Sequence, residues 1–258
     1  MALVPENIIM GTCKLCLMNK VLLKKSHILP DFIYRDLRIY DKTHKINLIA
    51  FDKQTFTTRK ISKGSSGEFE GNILCAECDN NILGKYETYA KKAMFSNELP
   101  IDQKIKVTNY HSSNNVYYSH AENINYKLFK LFLLSLLWRI GISTRPLFNK
   151  ITLDKDVEEM IRQMLLKGDP GSITNIPILG LTFLNDKEMP RDILGQPSEY
   201  EINGSKIVKL PLGGIIVLYH ISTDAEDQAK IKNQILNDDN VWNIIHIEKG
   251  KGWEYLFK

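Results

Sequence analysis

Cys13-Lys14-Leu15-Cys16 and Cys75-Ala76-Glu77-Cys78 are the stretches on which the reading of this chain turns. All 4 cysteines of the 258 residues fall into these two pairs of identical internal spacing. Two such knuckles gather four soft thiolates around one tetrahedral ion at about 2.3 Å per sulfur, which suits zinc. Two other chemistries compete for the same residues. A pair of disulfides needs an oxidising compartment, and residues 1–7 lack the basic start of an export signal. A thioredoxin-like redox pair needs only one CxxC beside a strand. A structural Zn2+ held by Cys13, Cys16, Cys75 and Cys78 is therefore the expected cofactor. Its plainest consequence is architectural, because such an ion holds a small fold together without further duty.

The hydrophobic share of 43% is enough to fill a core. The longest apolar run, residues 131–138, is bracketed by Lys130 and Arg139 and falls far short of the roughly 20 residues a membrane span requires. These features predict a soluble, cytoplasmic protein without a membrane partner. A formal charge of +4 is too mild to argue for a nucleic-acid partner by itself. Residues 1–95, however, carry half as many basic side chains again as acidic ones, so most of the excess lies around the cysteines.

Between the knuckles the chain reads Lys24-Lys25-Ser26-His27-Ile28-Leu29-Pro30, then a helical stretch over residues 31–38, then a polar loop to Gly71. Asp79 follows Cys78 directly, where a helix should open. Residues 80–95 place Ile82, Tyr86, Tyr89, Ala90 and Met94 at helical spacing, and Gly84 weakens that helix without forbidding it.

This order resembles the zinc-containing branch of the HNH (His-Me finger) nucleases: CxxC, basic residues with a His-Ile-x-Pro step, then Leu-Cys-x-x-Cys and a polar ligand. It is also similar to a group of uncharacterised bacterial proteins with Ser-His-Ile-x-Pro and a later Ser-x-x-Trp-Arg helix, matched here by Ser135 to Arg139. The resemblance covers residues 13–90 well and the helix near 138 loosely. It implies a treble-clef, ββα-metal fold with His27 as general base. It also implies a catalytic Mg2+ or Mn2+ held by Asp79 on the helix and by the residue at position 26. There Ser26 stands where the family usually has Asp or His, and a neutral hydroxyl is a weaker ligand for a hard cation. By analogy the family suggests phage defence or a mobile element as the setting.

The chemistry explains why these residue types would be needed. Phosphodiester cleavage requires an activated water, neutralisation of the scissile phosphate and help for the leaving oxygen, which one imidazole and one cation can supply. Lys24 and Lys25 beside His27, and Arg35 and Arg38 on the next helix, are candidate phosphate contacts, although solvated surface charge explains them as simply. A lone histidine more often packs or caps than reacts. The rival function is a non-catalytic zinc finger binding nucleic acid or a partner protein; a third reading makes the finger a mere support.

The remainder predicts an α+β fold with a mostly antiparallel sheet. Expected strands are 104–107, 116–119, 176–184, 214–221, 242–247 and 253–257, with a hairpin over 200–208 turning at Asn203-Gly204. Expected helices are 124–142, apolar on nearly every face, 153–167, and 225–236. His111, His120, His220 and His246 are scattered and read as packing or surface residues. The organisation expected is a finger domain over residues 1–96 and an accessory α+β domain over 97–258 with a core of its own.

Overall fold

The computed structural model describes residues 8–43, 45–52, 57–63, 67–95, 98–186, 189, 192–221 and 225–257, with backbone alone for 47–52, 57–63, 225–227 and 257. The first knuckle is the turn of a hairpin formed by β1 (Met10–Thr12) and β2 (Asn19–Val21). Strand β3 (Ser26–His27) leads through Pro30 into α1 (Asp31–Asp36), whose Phe32, Ile33 and Tyr34 are buried. The helix stops at Leu37, and Arg38 takes the left-handed conformation at φ 58°. The predicted polar loop then departs from expectation, because β4 (Asn47–Asp52) and β5 (Thr57–Lys63) pair as an antiparallel hairpin. Its Leu, Ile, Phe and Thr content is that of a strand, which the surrounding Lys, Gly and Ser obscured in the sequence. Strand β6 (Phe69–Glu70) returns to pair with β3.

The second knuckle opens a π-helical turn, Glu77–Leu83, that runs on into α2 (Gly84–Phe95). Strands β7 (Lys106–His111) and β8 (Tyr117–Glu122) follow, and then α3 (Tyr126–Ile142), capped by the Asn125 side chain accepting from the Leu128 N–H. Helix α4 (Lys155–Lys167) ends at Gly168 in the left-handed conformation that lets a helix stop. Next come β9 (Ile178–Thr182), β10 (Ser198–Ile202), β11 (Ser205–Leu212), β12 (Ile215–His220), α5 (Ala225–Ile231), β13 (Trp242–His246) and α6 (Gly252–Phe257).

Seven strands make one sheet in the order β10-β11-β12-β9-β13-β8-β7, antiparallel everywhere except β9 against β13. The fold is α+β with a mostly antiparallel sheet. The Asn203-Gly204 turn joins β10 and β11, both residues having positive φ as a two-residue hairpin requires. The C-terminus corrects the sequence reading: residues 253–257 lie in a helix. Trp253 and Leu256, one turn apart, both pack on the second apolar cluster, and buried Lys209 donates to the Tyr255 and Leu256 carbonyls at the helix end.

The sheet separates two apolar layers. Ile207, Ile216 and Leu218 face a smaller cluster with Leu256, whereas Val208, Leu210, Val217 and Tyr219 face the main core around α3. That core is continuous from the cysteine knuckles to the sheet and so passes across residues 96 and 97. Phe32 of α1 packs on Phe132 of α3 at 5.8 Å between ring centres. Polar ties follow the same route: Lys14 Nζ donates to the Ile142 carbonyl, Arg162 to the Leu15 carbonyl, and the Tyr86 hydroxyl to the Leu165 carbonyl. Among the described residues no helix is long and apolar enough to cross a membrane.

Candidate active site and metal centre

The two knuckles meet because their strands cross-pair. The Lys14 N–H donates to the Ile73 carbonyl, Leu23 to Leu74, and Cys75 forms an isolated bridge with Leu22. The sulfurs of Cys13, Cys16, Cys75 and Cys78 consequently lie within 4.8 Å of one another. A tetrahedral ion at about 2.3 Å from each sulfur needs them about 3.8 Å apart, so these positions suit one ion with little adjustment. Burial pushes the Cys13 thiol up, but N–H groups of Cys16, Cys75 and Leu15 aimed at its sulfur outweigh that and bring it down to about 7. Burial and the neighbouring thiols raise Cys78, and burial above all raises Cys75. Four thiols this close resist ionising together, and a bound dication removes that resistance. The centre can hold a metal ion such as zinc.

Beside this centre lies a cleft of about 380 Å³, lined among others by His27, Asp31 and Arg35 from β3 and α1 and by Asp79, Glu87, Lys91 and Arg139 from the π-helical turn, α2 and α3. His27 is half-buried at the end of β3, and among the described residues its ring nitrogens have no hydrogen-bond partner. The ring is placed by the β3–β6 pairing, by an edge contact with Phe69 at 6.4 Å between centres, and by Gly67 above it. Gly67 has φ 75°, which asks for glycine, and a β-carbon there would also lie 3.2 Å from Tyr34 Cε2 and from the Tyr40 hydroxyl, with His27 Cδ2 at 3.4 Å.

Asp79 stands in the π-helical turn, where the Gly84 N–H reaches back to the Asp79 carbonyl. Such turns widen a helix locally and recur where a side chain must be aimed. Its Oδ1 accepts a 2.6 Å hydrogen bond from Ser26 Oγ, a residue 1% exposed. Position 26, read from the sequence as a weak cation ligand, thus has its hydroxyl committed to the carboxylate of Asp79. Ser26→Ala is expected to lower stability by about 1.5–3 kcal/mol, the range for a hydrogen bond to a charged group. Urea unfolding monitored by tryptophan fluorescence measures it, and an unchanged midpoint would show that the bond carries no weight.

The four basic candidates separate in space. Arg35 lines the cleft and pairs with Asp31 and Asp36, each at 3.4 Å. Lys25 is exposed with its ammonium 4.6 Å above the Phe69 ring, while Lys24 and Arg38 are exposed outside the lining.

Arg139 and Glu87, both in the cleft lining, were not among the site residues of the sequence reading, where Arg139 only closed the Ser-x-x-Trp-Arg match. Arg139, from the last turn of α3, is 1% exposed; its Nη2 lies 2.6 Å from Glu87 Oε1 and 3.7 Å from Asp79 Oδ1. The signal that could have found it is a permanent charge inside a helix that is otherwise buried all round, since such a charge must meet an acid somewhere. Glu87 carried no comparable signal, because it sits on a helix with an exposed face. No family model matches the chain, and no curated protein and no solved structure matches it.

Proposed function

We propose that the chain is a metal-dependent nuclease of the HNH, His-Me finger kind that cleaves phosphodiester bonds in nucleic acid, built on a treble-clef finger with Zn2+ as its structural ion. The observation that carries this reading is the convergence of His27 and Asp79 on one open cleft, the first from the strand that follows the first knuckle and the second from the helical turn that holds Cys78. Those elements support the four-thiolate ion as the rigid base of the cleft.

A divalent cation at Asp79, Mg2+ or Mn2+, would supply Lewis acidity toward the phosphate and its leaving oxygen. Asp79 fits that duty: Oδ1 is held by Ser26, and Oδ2 accepts no hydrogen bond among the described residues. His27, in its neutral form, accepts a proton from the attacking water through whichever ring nitrogen faces the cleft. Ser26 keeps Asp79 in place, and Arg35 at the rim, with Lys24, Lys25 and Arg38 beyond it, draws the phosphate backbone.

Wild type and His27→Ala are to be compared on plasmid, single-stranded DNA and RNA across a Mg2+ and Mn2+ titration. Cleavage by the wild type alone is the expected result. Equal cleavage by both proteins would place the activity elsewhere, and binding without cleavage by either would favour a non-catalytic finger.

A further inference from the structure

Asp79 and Glu87 are eight residues apart, on the π-helical turn and on α2, yet their side chains reach one atom, Nη2 of Arg139. One oxygen of each is thereby committed to the protein. Asp79 Oδ1 holds Ser26 and faces the guanidinium, and Glu87 Oε1 lies against it at 2.6 Å. Oδ2 and Oε2 accept no hydrogen bond among the described residues, and both side chains line the cleft at 17% and 24% exposure.

The charges do not balance. Two carboxylates face one guanidinium, leaving a net negative charge in a partly desolvated place, where it is expensive. The guanidinium is fixed by burial, and its Nε and Nη1 lie buried without a hydrogen-bond partner among the described residues. A charge kept in the core at that cost, with donors unused, is poorly explained as packing alone. Lys91 lines the same cleft but is beyond ion-pair distance from Glu87.

We propose that Asp79 and Glu87 form a two-carboxylate seat for one hard divalent cation, and that Arg139 is the positioning residue that holds the seat assembled before the cation arrives. This rests on the nuclease reading for what the cation does, and adds Glu87 and Arg139 to it. Oxygen donors from two carboxylates, with the other positions left to water and phosphate, are the usual coordination of Mg2+ and Mn2+. The thiolates nearby select a softer ion, so the two metals are kept apart by ligand chemistry. Because Arg139 and the cation face the same two carboxylates, each opposes the other electrostatically: the guanidinium holds affinity down until an anionic phosphate joins the site.

The test uses the full-length protein with its four-cysteine ion loaded and Mn2+ as the probe, read by calorimetry and by the Mn2+ electron-spin signal. Glu87→Gln is expected to weaken Mn2+ binding by about tenfold or more, as is Asp79→Asn. Arg139→Met is expected to melt lower without Mn2+ but to gain more from it than the wild type does, because the ion then takes the place of the guanidinium between the carboxylates. Adding Glu87→Gln to Arg139→Met should abolish that gain. Should Arg139→Met fail to fold, Glu87→Gln alone decides. Wild-type Mn2+ affinity in Glu87→Gln overturns the proposal, and so does an equal Mn2+-induced shift in wild type and Arg139→Met. Mn2+ binding that depends on Glu87 without any cleavage that depends on His27 would leave this inference standing and defeat the nuclease reading. His27-dependent cleavage indifferent to Glu87→Gln would do the reverse.

Discussion

Cys75→Ser, or removal of the metal by a chelator, is expected to unfold the finger segment and to bring the rest of the chain down with it. Apparent binding energies of four-ligand zinc sites are about 10–16 kcal/mol, whereas whole domains are stable by only about 5–15 kcal/mol. Losing one thiolate therefore removes an amount comparable with the entire margin. The effect should not stay local. The first knuckle's Leu15 carbonyl is the acceptor of buried Arg162 on α4, and Lys14 holds the end of α3 at Ile142. If the knuckle opens, Arg162 keeps its two bonds to Glu159 but its Nη1 loses the Leu15 acceptor, and a buried donor left unsatisfied costs about 1–3 kcal/mol. Elemental analysis should find one zinc per chain in the wild type, and far-UV circular dichroism should lose its cooperative melt in Cys75→Ser. Protein free of zinc, or mass spectra with two disulfides, would end the claim.

How much of this was legible in the sequence depends on whether the determining contact is local. The cysteine spacing, the Asn203-Gly204 hairpin, the apolar helix ending at Ile142 and the helix closed by Gly168 are written in adjacent residues, and the structure has each of them. The β4–β5 hairpin was hidden by polar neighbours, and the C-terminal helix by a short apolar run that suits either helix or strand. At the candidate site the pairing of Ser26 with Asp79 could not be read, because 53 residues separate them and only the closure of the knuckles brings them together. The same holds for Arg139, which in the sequence looked like the edge of an apolar run. In space Asp79 and Glu87 converge on its guanidinium. Chemistry encoded by spacing is visible early, and chemistry encoded by packing waits for the fold.

Phe132→Ala is expected to cost about 3–5 kcal/mol, the range for emptying a buried aromatic site. Phe132 is fully buried in α3, with Phe32 of α1 on one side and Phe129 at 6.1 Å between ring centres on the other. The ring thus joins an element before residue 96 to the core after it, and its removal leaves a void that neither side can close alone, since both are set by other contacts. Phe32 also meets Phe95 at 6.0 Å, so relaxation toward the gap would strip a second aromatic contact. The loss should appear in the full-length protein as one shifted urea transition, with fluorescence and circular dichroism coinciding. Ile216→Ala, fully buried in the smaller cluster on the other sheet face, provides the comparison, because it too should move a single transition if the sheet couples both layers. Two separable transitions, with Phe132→Ala moving only the earlier one, would mean that residues 1–96 and 97–258 melt as independent bodies and that the aromatic contact between α1 and α3 does not couple them.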